Sequence, residues 1–371
     1  MVCSYLYPFN IFQMRNRKKI LAVLLLVQII ILKIISFFPE WVERVYSNGL
    51  YIYISHFSRK LFGWIPFSIG DVIYFVVGFF IIRWIFIKFK NKKQGENQTW
   101  KTISLEILSF LSVFYFLFHL LWATNYHRVP LYEKLHIEKE YSDADLLAFT
   151  KKLIVKTNEI HSKIVKNDSL KVIFPYSQQQ VFEDNVKGYS NLSKQYSFFK
   201  YENVSIKQSL ISLPLTYMGF AGYLNPFTNE AQVNDRIPMP NFPTTAAHEM
   251  AHQLGYASES EANFIGYLAS IKNDDLYYQY SGYSFAMKYC LRNWKIRDEK
   301  VLKQLLPTIH PGILKNYDDS QKFWEQYETF IETGFKIFYD HFLKFNQQND
   351  GLDSYSKFVD LMVNYYKTEP L

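Results

Sequence analysis

"TTAAHEMAHQLGYASESEANF" (residues 244–264) decides how the C-terminal part of this chain is read. It places His248 and His252 four residues apart, with Glu249 directly after the first histidine. On a helix, positions four apart lie on one face about one turn apart, so both imidazoles project from the same side. The preceding "FPTT" supplies a proline start and threonine caps, and Gly255 is a natural helix stop. Helical sequence resumes at "SESEANFIGYLASI", with Glu259 and Glu261 near its start. The stretch is two helices joined at a glycine.

Two imidazoles at this spacing suit two corners of a tetrahedral zinc site. A glutamate one residue after the first histidine lies beside the water at such a site, where it serves as general base. A third ligand must come from elsewhere, and two carboxylates follow at once. Metal sites of the gluzincin class take a glutamate from a second helix, often followed four residues later by Asp or Asn, which buttresses a zinc-bound imidazole. Glu259 and Asn263 stand in that relation. Glu261 has no such partner and points to another helix face, so it is the alternative ligand. In the metzincin pattern the third-ligand position falls on Ser258, which argues against an ordinary site of that kind.

The chain has 371 residues, 49% hydrophobic and 19% aromatic, with a net charge of +7. Residues 15–19 (RNRKK) and 88–101 (KFKNKKQGENQTWK) carry nine Lys/Arg and one Glu, a net of +8, which leaves the remainder near −1. The basicity therefore flanks apolar runs and does not form a nucleic-acid surface. Cys3 and Cys290, far apart in sequence, define neither a disulfide framework nor a cysteine zinc site.

Three runs have the length of membrane-spanning helices: residues 20–38, 71–89 and 104–122. The first has a basic lead but no small-residue cleavage site after it, so it reads as a retained span and not a signal peptide. Both basic segments fall on one side of this arrangement, which puts them and the N-terminus in the cytoplasm. Residues 39–70 and everything after Trp122 then lie outside the cytoplasm. The division is a membrane domain, 1–124, and an extracytoplasmic domain, 125–371, long enough for one α+β core. The aromatic-rich outer loop is amphipathic and suited to lie on the bilayer surface, where His56 is a lone histidine with no ligand pattern around it.

Within 125–371, "SDADLLAFTKKLIVKTNEIHSKI" reads as a helix with Ser142 as N-cap, while "KVIFPY" and "SIKQSLISLPL" read as short strands. "NEAQVN" (residues 229–234) is the candidate edge strand for pairing with an extended peptide. An oxyanion-stabilising donor is expected among later residues; Tyr283, Tyr289, Arg292 and His310 are candidates that the sequence does not rank.

The segments "HEMAHQLGYASESEANFIGYLAS", "YLNPFTNEAQVN", "NYHRVPL" and "DGLDSYSKFVDLMVNYY" resemble a family of bacterial membrane proteins known as domain of unknown function 3810. The resemblance covers nearly the whole chain and implies a mostly helical, zincin-like metallopeptidase domain behind three spans. Its E-x-x-A-N segment is also similar to the E-x-x-A-D of membrane peptidases, with the neutral Asn263 in place of Asp. The expectation is a zinc-dependent endopeptidase of the inner membrane, with a periplasmic site acting on envelope proteins or peptides. His248, His252 and Glu259 would hold Zn2+, with Glu249 as base and Asn263 behind a ligand. The rivals are a non-catalytic zinc-binding sensor or assembly factor, and a hydrolase of another amide bond.

Overall fold

A computed structural model describes residues 6–93, 99–346 and 355–371; Cys3 lies outside them. The described chain is mostly helical, with one three-stranded sheet. Helix α1 (Leu6–Ile35) stops short of the expected end of the first span. Pro39 disfavours helical backbone at Phe38, whose φ of −126° and ψ of 64° break the run. Beyond it a π-helical turn (Val42–Leu50) leads into α2 (Tyr51–Phe62), and the helical pair bends there by 99°. Next come α3 (Ile69–Lys93) and α4 (Trp100–Leu121). Residues 69–91 and 100–121 are each long and apolar enough to cross a membrane, and the bent pair would make a third span.

The basic ends of these helices are tied together by one carboxylate. Glu106 on α4 lies 2.9 Å from Lys18 Nζ of α1 and 2.6 Å from Lys88 Nζ of α3, and accepts from Trp84 Nε1 at 3.1 Å.

The C-terminal part is built on α5 (Asp143–Ile164), α6 (Gln178–Gln195), α7 (Phe242–Gln253), α8 (Glu259–Ile271) and α9 (Leu276–Arg297). These are followed by α10 (Pro311–Glu325), α11 (Phe330–Phe345) and α12 (Tyr355–Tyr365). Ser142 caps α5 in a reciprocal capping box with Asp145, as its position before an apolar-periodic run suggests. Leu153, Phe182, Tyr189, Phe242, Met250, Phe264, Tyr267 and Met287 bring these helices into one continuous buried core around α7 and α8.

The sheet is small: β1 (Ile206–Gln208), β2 (Gly222–Leu224) and β3 (Ala231–Val233). Its order is β1-β3-β2, with β1 parallel and β2 antiparallel to β3. The segment expected at the edge, residues 229–234, thus supplies the central strand, and β2 is an edge. "KVIFPY" is not a strand. The side chain of Asn316 on α10 takes the place of a strand partner, accepting from Val172 N at 3.0 Å and donating to Val172 O at 3.1 Å.

Residues 42–64 pack against the C-terminal part on one face. Val42, Tyr46, Tyr51 and Arg59 are buried, while Tyr53, Phe57 and Trp64 stay exposed on the other. The sheet also grips the start of α3. Glu230, fully buried, accepts from Gly70 N at 2.6 Å and Ile69 N at 3.2 Å, which satisfies donors left free at a helix N-terminus. Lys207 pairs with Glu230 and donates to the Phe62 carbonyl at 2.7 Å.

Candidate functional site

Helix α7 opens with Pro243 in its first turn and Asn241 at its N-cap, so Thr244 and Thr245 fall inside the helix and do not cap it. It ends at Gly255, whose φ of +85° is left-handed backbone that glycine adopts without strain. A Cβ there would also meet Asn125 and Tyr51 at 2.9 Å. Side chains from segments before residue 129 bond the carbonyls at the end of α7 and of the turn after it. Tyr51 donates to Gln253 O at 3.0 Å, Trp122 Nε1 to His252 O at 3.2 Å, and Arg128 Nη1 to Gly255 O at 3.0 Å. Gln253 fastens the helix to the sheet layer, accepting from Tyr201 at 2.6 Å and donating to the Ser205 and Asn229 carbonyls.

The two histidines meet as their spacing requires, with Nε2 atoms 3.0 Å apart. Glu259, first residue of α8, closes the group, with Oε2 3.3 Å from His248 Nε2 and Oε1 3.8 Å from His252 Nε2. Ligands about 2.0–2.1 Å from a tetrahedral metal stand about 3.3 Å apart, so the three donors are spaced to share one ion. His252 Nδ1 donates to the Tyr256 carbonyl at 2.7 Å, which fixes the tautomer and leaves Nε2 as the free lone pair. A ligand atom of Glu249 lies within 4.8 Å of those of both histidines. Glu249 Oε2 is buried with no hydrogen-bond partner, as expected of a carboxylate awaiting water or a cation.

The surroundings separate the two carboxylates electrostatically. Burial raises the Glu249 pKa to about 8, with His248 opposing and Glu259 adding to the rise. Burial would also raise Glu259, but hydrogen bonds from His248 and Tyr339 and the charge of both histidines bring it down to about 2. Burial, reinforced by the charge of His248, lowers His252 to about 4. Burial would lower His248 too, but Glu259 and Glu249 outweigh it and raise the group, with Asn263 contributing. Glu259 is thus held charged and Glu249 protonated.

Glu261 faces away from this group. Its Oε1 accepts from Leu131 N at 2.6 Å, and burial raises its pKa to about 7 against the pull of that bond and of Arg128. A polar cleft of about 400 Å³, lined by Arg128, Ser258, Glu261 and Lys139 among others, opens on that side and not on the histidines. Asn263 lies beside His248, as its spacing from Glu259 suggests, although its Nδ2 and His248 Nδ1 are each buried without a hydrogen-bond partner.

Of the donor candidates, Arg292 is exposed, Tyr283 packs on Tyr267, and His310 groups with His161 and Asp168. Tyr289 packs on Phe285 and Phe358 within reach of the Glu259 charge. His56 is half-buried, its pKa lowered by burial and Arg59, and joins neither grouping of metal-binding side chains among the described residues. The residue that sequence reasoning missed is Tyr339 on α11, whose hydroxyl donates to Glu259 Oε1 at 2.5 Å. Its segment carries only helical periodicity, one tyrosine among many.

Edge strand β2 runs past Glu249. A Cβ on Gly222 would lie 2.6 Å from Glu249 Oε1, so only glycine lets strand and carboxylate come this close.

No curated protein and no solved structure matches the chain. A family model matches residues 46–363, from the outer loop through α12 and including every residue of the site. On that match the chain belongs to the family described as "Protein of unknown function (DUF3810)".

Proposed function

We propose that the chain is a membrane-anchored, zinc-dependent endopeptidase with a zincin-like C-terminal domain, acting on envelope proteins or peptides outside the cytoplasm. The observation that carries this reading is the convergence of His248, His252 and Glu259 beside the unpartnered carboxylate of Glu249. Two imidazoles and one carboxylate suit a borderline divalent cation such as Zn2+ and not a hard oxygen-seeking one. When bound, zinc would polarise the scissile carbonyl and acidify water.

The protein's own residues supply the rest. Glu249 accepts the proton of the attacking water and passes it to the leaving nitrogen, a role served by a carboxylate of elevated pKa. The charge of a divalent cation alongside would bring that pKa down toward the working range. Tyr339 carries a hydroxyl donor to the ligand group, where an oxyanion needs one. Strand β2 offers an edge beside the base for an extended peptide. The basic ends of the three apolar helices, joined at Glu106, support a cytoplasmic face there and an extracytoplasmic domain at the opposite ends.

The test is Glu249→Gln in the full chain. It should keep the zinc of the wild type and lose peptide-library cleavage by about 10²–10⁴-fold. Identical cleavage by both proteins would leave a non-catalytic zinc protein as the better description.

A further inference from the structure

A second group of metal-binding side chains lies outside the site just described. His161 sits in the last turn of α5 and is fully buried; His310 is the N-cap of α10; Asp168 lies on the loop between α5 and the "KVIFPY" segment. His161 Nδ1 and His310 Nδ1 are 3.2 Å apart, and Asp168 Oδ1 is 3.4 Å from the same His310 nitrogen. The ligand atoms of all three fall within 4.8 Å of one another. These separations match the roughly 3.3 Å between ligands of a tetrahedral ion with bonds of about 2.0–2.1 Å.

The tautomer supports this reading. His161 Nε2 is 2.9 Å from the Leu170 carbonyl, which can only accept, so Nε2 carries the proton and Nδ1 presents its lone pair. A histidine whose far nitrogen donates to a carbonyl is the usual outer support of a metal ligand. The backbone around the group is held independently of any ion. Gly312 N donates to Asp168 O at 2.8 Å, and a Cβ on Gly312 would lie 1.9 Å from Leu170 O, so loop and helix start are in close contact. Asn158 accepts from His310 N at 3.1 Å and donates to Thr308 O at 2.8 Å, which sets the histidine's position from α5. The Asp168 side chain is 57% exposed, which leaves room for water as a fourth ligand.

We propose that His161, Asp168 and His310 form a second, structural zinc site that clamps the end of α5 to the start of α10. Two imidazoles and a carboxylate select a borderline ion such as Zn2+ over Ca2+ or Mg2+, which take oxygen-only shells. The site shares no residue with the His248 group, so it stands whether or not that group is catalytic.

The test is zinc content of the detergent-solubilised full chain after equilibrium dialysis against free Zn2+. In a His248→Ala/His252→Ala background one equivalent should remain. Adding His310→Ala should remove it, weakening Zn2+ by more than about 100-fold, beyond the 10–100-fold that loss of an outer partner costs. Zinc that is absent from the double variant, or present but indifferent to His310→Ala, overturns the proposal. Two single variants, at the partly exposed His310 (to Ala) and the exposed Asp168 (to Asn), in an otherwise wild-type chain, guard against misfolding. Each should lower the zinc content by one equivalent and remove one of two sets of Co2+ absorption bands. Unchanged content and spectra in both would mean that the two imidazoles only share a proton.

Discussion

Glu43→Gln should loosen the helix that carries His248 and His252 from a distance, because Glu43 neutralises Arg128, which holds the turn at its end. Glu43 accepts from Nε and Nη2 of Arg128 at 2.8 Å each and from Lys134 Nζ at 2.8 Å, while Arg128 also holds the Gly255 carbonyl. Burial would raise the Glu43 pKa, but Arg128 and Lys134 outweigh it and bring it from 4.5 to about 2. That depression from 4.5 to about 2 corresponds to about 3.4 kcal/mol at neutral pH. The Glu43 side chain is 14% exposed, so solvent screening trims this to about 2–3 kcal/mol. Glutamine keeps an acceptor and removes the charge.

At about 2–4 °C per kcal/mol for a domain of this size, the variant should melt about 5–10 °C below wild type at pH 7. The sign of the pH effect is fixed by the direction of the shift. A depressed carboxylate contributes its full stability above the unfolded pKa near 4.5 and loses it as pH falls through the folded value near 2. The gap between wild type and variant should therefore shrink to about 40% by pH 3. The assay is tryptophan-fluorescence melting of the full chain in detergent at both pH values. A gap under about 1 °C at pH 7, or one that does not narrow at pH 3, would refute the reasoning.

The choice of third ligand is tested in a His310→Ala background. Glu259→Ala should there weaken zinc more than about 100-fold. Glu261→Ala should leave zinc in place and cost about 1–3 kcal/mol of stability by orphaning Leu131 N. The reverse pattern would exchange their roles. Gly222→Ala should keep metal but lower peptide hydrolysis about 10²-fold, since its Cβ displaces Glu249 or the strand; unimpaired turnover would show that this contact is slack. A reporter active only outside the cytoplasm, fused after Leu371, should be active, and activity of a cytoplasm-only reporter would invert the topology.

What was legible in the sequence was local. The four-residue spacing of His248 and His252, the stop at Gly255 and the second and third apolar runs each depend on neighbours along one helix, and the structure places them accordingly, while the first run is broken at Phe38. The preference for Glu259 over Glu261 rested on the four-residue spacing of Glu259 to Asn263; the structure places Glu259 beside the histidines and Glu261 on Leu131 N. What was not legible depends on pairing between distant segments. Strand β3 is central because β1 and β2, both drawn from weakly patterned sequence, flank it. "KVIFPY" carries strand composition yet pairs with the side chain of Asn316, 144 residues away. Tyr339 reaches Glu259 across 80 residues. No periodicity reports such contacts.

The capping of α7 by Tyr51, Trp122 and Arg128 has a consequence for how the protein is deployed. A protease cut after Trp122 that separated the two parts would strand the Gln253 carbonyl, which the Tyr51 and Ser55 hydroxyls satisfy, and leave the His252 carbonyl with Gly255 N alone. The ligand helix would then fray at the turn that holds His252. Under the proposed function, release from the apolar helices would therefore weaken the site and tie its activity to the attached state.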